Sequence, residues 1–424
     1  PAICEHPHIL RVLITGTEHN KCKQERNNNY EPDHGGVVAL SYAKNKNADQ
    51  QAARQLVATI PWFFHPSAVL LALNLFTHSL FCVLLPVHRA KRQQTHEGDT
   101  DMLVLTQGDP ASIAPEITAA VWQKLRQSGP AFVYIGDPSL LERRIPVQPI
   151  RYLADGADVF SHALPVIPLH LAAPPAMGEP DRRNAASVIE SIRQAVELTL
   201  SGEASAMITN PISKDVVQGA GFRHPGHTSY LAELCQTPGD EVMLLAGPSL
   251  KVVPITVHVA LRNAITLLST DLIIRTARTV AAGLRRDFGI PHPRLAFAGL
   301  NPHAGEHGLM GDEEQNIIIP ALNTLRQEGM TVSGPLPADT MFTPHARSQY
   351  DVALCMYHDQ GLIPLKTLDM AEGVNVTLGL PIIRTSPDHG TAFDIAGQNK
   401  ADPRSLEAAI RLAATLAENR RKHT

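Results

Sequence analysis

From residue 102 onward, short apolar runs alternate with longer amphipathic segments. The apolar runs predict strands over 103–106, 131–135, 205–209, 251–256, 294–299 and 352–356. Apolar residues at helical spacing predict helices over 116–127, 187–200, 270–287, 312–327 and 404–419. Because the strand segments are almost continuously apolar, we expect a mostly parallel α/β sheet with helices on both faces. The length of this part favours two lobes with a cleft between them.

Residues 1–101 show no such periodicity. The first methionine, Met102, stands directly before the first predicted strand. We expect the preceding segment to be an extension that is disordered or is not part of the natural product. Within it, Ala68 to Leu85 is long and apolar enough for a membrane helix. Four polar residues interrupt that stretch, so we predict no membrane role.

Composition excludes several classes of protein. Hydrophobic residues make up 44% and charged residues 18% of the 424 residues, which permits a large core and excludes wholesale disorder. The net charge of −4 gives no reason to expect a nucleic-acid partner. The five cysteines form no CxxC pair, so we predict neither a disulfide framework nor a zinc module but a reducing, cytoplasmic location.

Three histidines follow predicted strands. His258 and His358 come directly after apolar runs, and His303 follows another by two residues. Ligands of open α/β sheets bind beyond the carboxyl ends of strands, where side chains distant in sequence converge. Three imidazoles with an open fourth position could hold a catalytic zinc or a similar divalent ion. Each histidine alone could equally be an ordinary hydrogen-bonded residue at the rim of the sheet.

Two further groups suggest anion binding. His227 and Thr228 follow Gly226 at the start of a helix predicted over 228–235, which could hold an anion; the alternative is a simple N-cap by Thr228. A second group is basic or amide-bearing and lies among apolar strand residues: Lys366, Asn375 and Arg384. A substrate phosphate would pair with such buried cations, and so would an internal salt bridge.

The run Asp388 to Gly397 reads DHGTAFDIAG, and the chain contains no GxGxxG motif for an ordinary dinucleotide site. Together with GDPA at 108–111, GHT at 226–228, NPHAGE at 301–306 and YHDQG at 357–361, it resembles the 4-hydroxythreonine-4-phosphate dehydrogenase (PdxA) family. The resemblance begins at Met102 and extends almost to the C-terminus. Residues 1–101 have no counterpart in it.

The resemblance implies a two-lobed α/β/α fold like that of isocitrate and isopropylmalate dehydrogenases, with the active site in the interlobe cleft. We expect one lobe to comprise about 102–225 and 365–424, and the other about 226–364. It also implies a homodimer whose metal site is shared between subunits. The implied ligands of the zinc, magnesium or cobalt ion are His258, His303 and His358, the last supplied by the partner.

The same resemblance implies an NAD-dependent reaction on a small phosphorylated hydroxy-amino acid. The implied substrate contacts are His227, Thr228, Lys366, Asn375 and Arg384. His389, Gly390 and Asp394 would bind the adenosine part of NAD or NADP. His227 and Asp339 are the two candidates for the group that accepts the hydroxyl proton. The implied pathway is the biosynthesis of pyridoxal 5'-phosphate, the active form of vitamin B6.

Two departures and three alternatives remain open. Ser112 and Ala114 replace glycines that the family usually has, which would weaken NAD binding if that loop needs positive φ or a close approach of its backbone to the cofactor. His307 also replaces a usual glycine, and we interpret it as a bystander. The alternative functions are an erythronate or threonate 4-phosphate dehydrogenase of the same family, a metal-dependent phosphohydrolase, and a binding protein without catalysis.

Overall fold

Twelve strands lie side by side in one sheet across the described residues. The computed structural model describes residues 101–219, 223–224 and 226–422. The expectations for residues 1–100, including the apolar stretch from Ala68 to Leu85, lie outside that part of the chain. The strands are β1 (Leu103–Thr106), β2 (Phe132–Gly136), β3 (Val147–Pro149), β4 (Leu164–Pro168), β5 (Ala206–Ile208), β6 (Val242–Ala246), β7 (Lys251–Thr256), β8 (Arg294–Ala298), β9 (Thr331–Leu336), β10 (Val352–Tyr357), β11 (Val374–Leu378) and β12 (Arg384–Pro387).

The order of the strands is β3-β4-β2-β1-β5-β12-β11-β6-β7-β10-β8-β9. Antiparallel pairing occurs where β11 meets β12 and β6, and where β6 meets β7. The other neighbours are parallel. Three successive reversals make β7, β10, β8 and β9 run opposite to β12. Arg384 is the first residue of β12. It therefore lies towards the same end of the sheet as the C-terminal ends of β7 and β10.

Helices cover both faces of this sheet. They are α1 (Ala114–Leu125), α2 (Gly156–Phe160), α3 (Ala185–Leu200), α4 (Lys214–Gly219), α5 (His227–Leu234), α6 (Leu261–Leu267), α7 (Thr270–Arg286), α8 (Ile319–Gln327), α9 (Pro344–Arg347), α10 (His358–Asp369) and α11 (Arg404–Lys422). A π-helical turn, Glu314–Ile318, precedes α8. Among the described residues, no helix is both long enough and apolar enough to cross a membrane.

The core explains the apolar runs of the sequence. Every residue of β1 and β2 is buried, because α11 and α1 pack on one side of the sheet and α3 on the other. Burial of both faces removes the alternation of polar and apolar residues that a half-exposed strand shows. The prediction of a mostly parallel α/β sheet is confirmed. The division into two lobes stays a prediction.

Candidate active site

His258 and His358 emerge side by side from neighbouring parallel strands. In the register of β7 and β10, Thr256 lies opposite Tyr357. The hydroxyl of Thr256 donates to the carbonyl of Met356 at 2.8 Å and joins the two strand ends. The centroids of the two imidazole rings are 5.3 Å apart. Strand pairing within one chain thus creates a two-histidine site.

Local contacts favour the ligand form of these rings. Asp359 Oδ1 lies 2.7 Å from His358 Nδ1, an arrangement that fixes the tautomer and leaves Nε2 to bind a metal. Partial burial lowers the pKa of His258, and the charges of Lys214 and His358 lower it further. A neutral imidazole is the form that coordinates a divalent ion. The pair therefore fits a metal site.

His303 lies apart from that pair. It belongs to a helical loop, Pro302–Gly308, whose φ values are positive from His303 to His307. Its side chain is 60% exposed, and Glu306 Oε2 lies 3.3 Å from its Nδ1. The described residues of one chain contain no cluster of three or more metal-ligating side chains. Within one chain β10 places His358 beside His258, with ring centroids 5.3 Å apart. The expectation that His358 is supplied by a partner stays a prediction.

Arg384 forms a buried basic pocket nearby. Only 3% of Arg384 is exposed, and its guanidinium donates to the Thr209 hydroxyl at 2.6 and 3.2 Å and to the Thr377 hydroxyl at 3.0 Å. Burial lowers the pKa of Arg384 to about 10, so the group remains charged at neutral pH. Among the described residues no carboxylate pairs with it, so the internal salt bridge considered as an alternative is absent there. A buried cation held only by hydroxyls can receive an anion.

His227 lies close to Arg384, whose charge acts on it. It is the first residue of α5, and its Nε2 is buried without a hydrogen-bond partner, while the residue as a whole is half-buried. Burial lowers the pKa of His227 to about 3, with further contributions from Arg384 and Lys214. The N-cap of α5 is Gly226, so the interpretation of Thr228 as the N-cap is wrong. The imidazole is neutral and its buried nitrogen is available to a ligand.

Lys214, on α4, is a residue that the sequence analysis missed. A methyl group on Gly226 would lie 3.8 Å from Lys214 Nζ, and the charge of Lys214 acts on both His227 and His258. The pocket around Arg384 and the histidine pair are thus neighbours. The tripeptide Ile-Ser-Lys that leads into α4 carries no recognisable motif, so only the fold reveals this proximity.

The other predicted substrate contacts differ in their surroundings. Lys366, on α10, forms a salt bridge of 3.1 Å with Asp388, so the alternative of an internal partner holds for this residue. Asn375 lies on β11 opposite Ser386 of β12.

Asp339 is exposed in the turn after β9 and makes no hydrogen bond or ion pair with the described residues. The geometry gives no support to Asp339 as a proton acceptor.

The loop after β12 contains a second orphaned nitrogen. His389 Nε2 is buried without a partner, while Nδ1 lies 3.1 Å from the carbonyl of Gly390. A methyl group on Gly390 would meet no atom within 4 Å, so there is open space beside the loop. Asp394 is exposed. An unsatisfied donor or acceptor beside open space fits a bound cofactor.

The glycine replacements in the loop before α1 are compatible with its backbone. Gly108 has positive φ, but neither Ser112 nor Ala114 does. The Ser112 hydroxyl donates to the carbonyl of Asp109 at 2.7 Å and accepts from the Ala114 amide at 3.1 Å. The amide of Ile113 donates to the carbonyl of Thr391 at 3.1 Å, which ties this loop to the candidate cofactor loop. The concern that these replacements require strained φ values is therefore removed.

Known proteins match this chain over most of its length. The family described as pyridoxal phosphate biosynthetic protein PdxA matches residues 128–413. The chain belongs to the PdxA family. A 4-hydroxythreonine-4-phosphate dehydrogenase of Bradyrhizobium diazoefficiens is 52% identical over 333 residues, which cover 74% of this chain and 96% of the relative. The chain is accordingly an oxidoreductase, and the sequence-based prediction of the family is confirmed.

Solved structures agree with the PdxA fold. The crystal structure of 4-hydroxythreonine-4-phosphate dehydrogenase from Klebsiella pneumoniae is 41% identical, with a TM-score of 0.68, and the match covers 74% of this chain and 98% of that one. A terephthalate 1,2-cis-dihydrodioldehydrogenase from Burkholderia xenovorans is 29% identical with a TM-score of 0.53, covering 74% and 97%. Dehydrogenases named for different substrates thus share this fold.

Proposed function

We propose that this PdxA chain oxidises 4-phosphooxy-L-threonine with NAD and a divalent metal ion. The product, 2-amino-3-oxo-4-phosphooxybutanoate, then loses CO2 to give 3-amino-2-oxopropyl phosphate, in the biosynthesis of pyridoxal 5'-phosphate. The single observation that carries the proposal is the buried Arg384 guanidinium, which among the described residues is held only by two threonine hydroxyls and whose charge acts on His227, with its orphaned nitrogen. That pocket suits the phosphate of the substrate.

The residues of the pocket bind and orient the substrate. Arg384 can offer its remaining donor capacity to phosphate oxygens, and Asn375 and Lys366 lie on the adjoining β11 and α10. Binding the phosphate away from the reacting carbon fixes the C3 hydroxyl and contributes to the rate through orientation. The neutral His227 imidazole can accept a hydrogen bond from the substrate, whereas its pKa of about 3 makes it a weak proton acceptor. Thr228 follows it in the same first turn of α5.

His258 and His358 of one subunit, with His303 of the other, would hold zinc, magnesium or cobalt. When bound, such an ion stabilises negative charge that develops on the C3 oxygen. His389, Gly390 and Asp394 would bind the adenosine part of NAD, which accepts the hydride. The orphaned Nε2 of His389 and the open space beside Gly390 support that role.

A homodimer is part of the proposal. Exposed apolar side chains follow each of the three histidines along the chain: Leu261 and Ile265 after His258, Leu309 and Met310 after His303, and Ile363 after His358. Clustered exposed apolar residues are typical of an interface. A second copy that covers this surface would bring its His303 to the pair of the first copy.

A substrate panel tests the proposal. Purified protein is assayed for NADH formation with 4-phosphooxy-L-threonine, erythronate 4-phosphate and threonate 4-phosphate, with and without divalent metal. We expect metal-dependent NADH formation with the amino acid. Turnover of the two non-amino acids alone would replace the proposed substrate with the alternative of the same family. Release of phosphate without NAD would instead indicate the phosphohydrolase.

A further inference from the structure

The loop that carries His303 has a backbone that most residues avoid. From His303 to His307 the φ values lie between 41° and 76°, and only one of these five residues is a glycine. The left-handed conformation is unfavourable for residues with a Cβ and is normally limited to single residues. Contacts from outside the loop must therefore hold it in this shape.

Glu314 supplies those contacts. It opens the π-helical turn Glu314–Ile318 and is 2% exposed. Its Oε1 accepts the backbone amide of Asn301 at 2.7 Å, and its Oε2 accepts the side-chain amide of Asn301 at 3.0 Å. A methyl group on Gly305 would lie 2.5 Å from Glu314 Oε2. Asn301, directly before the loop, and Gly305, at its middle, thus both pack against the buried carboxylate of Glu314.

The same carboxylate adjoins the end of β8, the strand that pairs with β10. A methyl group on Gly299, at the end of β8, would lie 3.2 Å from Glu314 Oε1. The carbonyl of Gly299 accepts from Gln360 Nε2 at 2.7 Å, and Gln360 Oε1 accepts the amide of Met356 at 2.7 Å. Buried hydrogen bonds therefore connect the His303 loop to the strand that leads into His358.

We propose that Glu314 is a positioning residue for His303. It holds the left-handed loop closed, so that the imidazole projects in one fixed direction towards the metal site of a second subunit. This inference rests on the proposed metal-dependent function. Glu314 itself touches neither metal nor substrate, and its effect is on the affinity for the ion.

Glu313 offers a matched control. Its Oε2 accepts from the Asn301 side chain at 2.7 Å, but it makes no bond to the Asn301 backbone and is only partly buried. Glu313→Gln and Glu314→Gln remove the same charge one residue apart. In Glu314→Gln one carboxylate oxygen becomes an amide donor that faces the Asn301 donors, so the loop loses at least one of its two bonds.

The experiment measures the affinity of the full-length protein for Co2+ and Zn2+ by chelator competition without substrate, together with the melting temperature. We expect Glu314→Gln to weaken metal binding about 10-fold or more, as is usual for residues that orient a ligand, while Glu313→Gln stays close to wild type. We also expect saturating metal to restore most of the turnover of Glu314→Gln, because the substrate pocket is intact. Equal metal affinity in both folded variants and wild type would overturn the positioning role.

Two further results separate the possible failures. If Glu314→Gln does not fold, Gly305→Ala tests the same idea, since its methyl group pushes the loop away from an unchanged carboxylate; wild-type metal affinity in that variant would refute the proposal. If the wild-type protein binds no divalent ion, the proposed function itself fails, and this inference fails with it.

Discussion

The pocket around Arg384 and the pair His258–His358 are neighbours, but the described residues of one chain bring together all the observed contacts of Arg384 and no group of three metal-ligating side chains. The contacts of Arg384 come from Thr209 and Thr377 of the same chain, and all three residues are buried. The histidine pair lies at an exposed edge beside apolar residues, and His303 is separate from it. Under the proposed function, phosphate binding is preorganised in each chain, whereas metal binding depends on assembly of two chains.

The two regions also differ in how much they destabilise the folded chain when no ligand is bound. Burial of the Arg384 charge without a carboxylate is unfavourable, and a bound anion relieves that cost. His258 and His303 are exposed and His358 is half-buried, so these side chains cost the fold little when no ion is bound. Substitutions at Arg384 should therefore lower activity without lowering stability. Substitutions at the histidines should lower activity in a way that depends on how two chains assemble.

Loss of a metal ligand should have the largest effect. We expect His258→Ala to reduce kcat/KM for metal-dependent NADH formation by roughly 1,000-fold or more, since the ion contributes several kcal/mol to the transition state. His307→Ala is the control, because His307 is an exposed residue of the same loop as His303. Full activity of His258→Ala would contradict the metal site.

Mixing inactive variants sharpens that test. If His258 and His358 come from one chain and His303 from the other, mixed dimers of His258→Ala and His303→Ala contain one intact site of two. Random reassortment then restores roughly a quarter of wild-type activity. Mixtures of His258→Ala and His358→Ala should restore none. The reverse outcome would show that His358 crosses between subunits.

Substitution of Arg384 should lower activity without lowering stability. Arg384→Met removes charge-assisted hydrogen bonds to the phosphate, worth about 1.5–3 kcal/mol each, so kcat/KM should fall roughly 100-fold or more. Replacing an unpaired buried charge with an apolar side chain is often neutral or stabilising. Chemical denaturation would measure the second part. A large loss of stability would mean that Arg384 is mainly structural.

Prediction from the sequence worked where the local pattern reports burial. Strands buried on both faces give continuous apolar runs, so β1, β7 and β10 were predicted almost to the residue. The pattern does not report strand order, and the pairing of His258 with His358 follows from β7 lying beside β10. Likewise, Glu314 lies within the predicted helix 312–327, where a glutamate is indistinguishable from an exposed residue. Its role depends on contacts with a loop that folds back on it.

Acidification should lower the stability of the folded chain through His227, with a smaller effect than the substitutions above. The pKa of His227 is lowered to about 3 in the folded chain, whereas an unfolded histidine titrates near 6.5. Between these values the unfolded state binds more protons, so stability falls as pH falls. His227→Gln should reduce that slope by less than about 1.4 kcal/mol per pH unit, the limit for one proton. Denaturation at several pH values, with the exposed His292→Gln as control, measures it; identical slopes would contradict the burial of His227.

The smallest effect concerns the loop before α1, which is hydrogen-bonded to the candidate cofactor loop through Ile113 and Thr391. Ser112 has an ordinary φ, and its hydroxyl makes two hydrogen bonds at the start of α1. Ser112→Gly should therefore cost about 1 kcal/mol of stability, from lost hydrogen bonds and greater freedom of the unfolded chain. The KM for NAD should stay unchanged, because the loop retains the bond from Ile113 to Thr391. A lower KM in the variant would mean that the serine hinders the cofactor, and that the usual glycine is needed for close approach rather than for its φ.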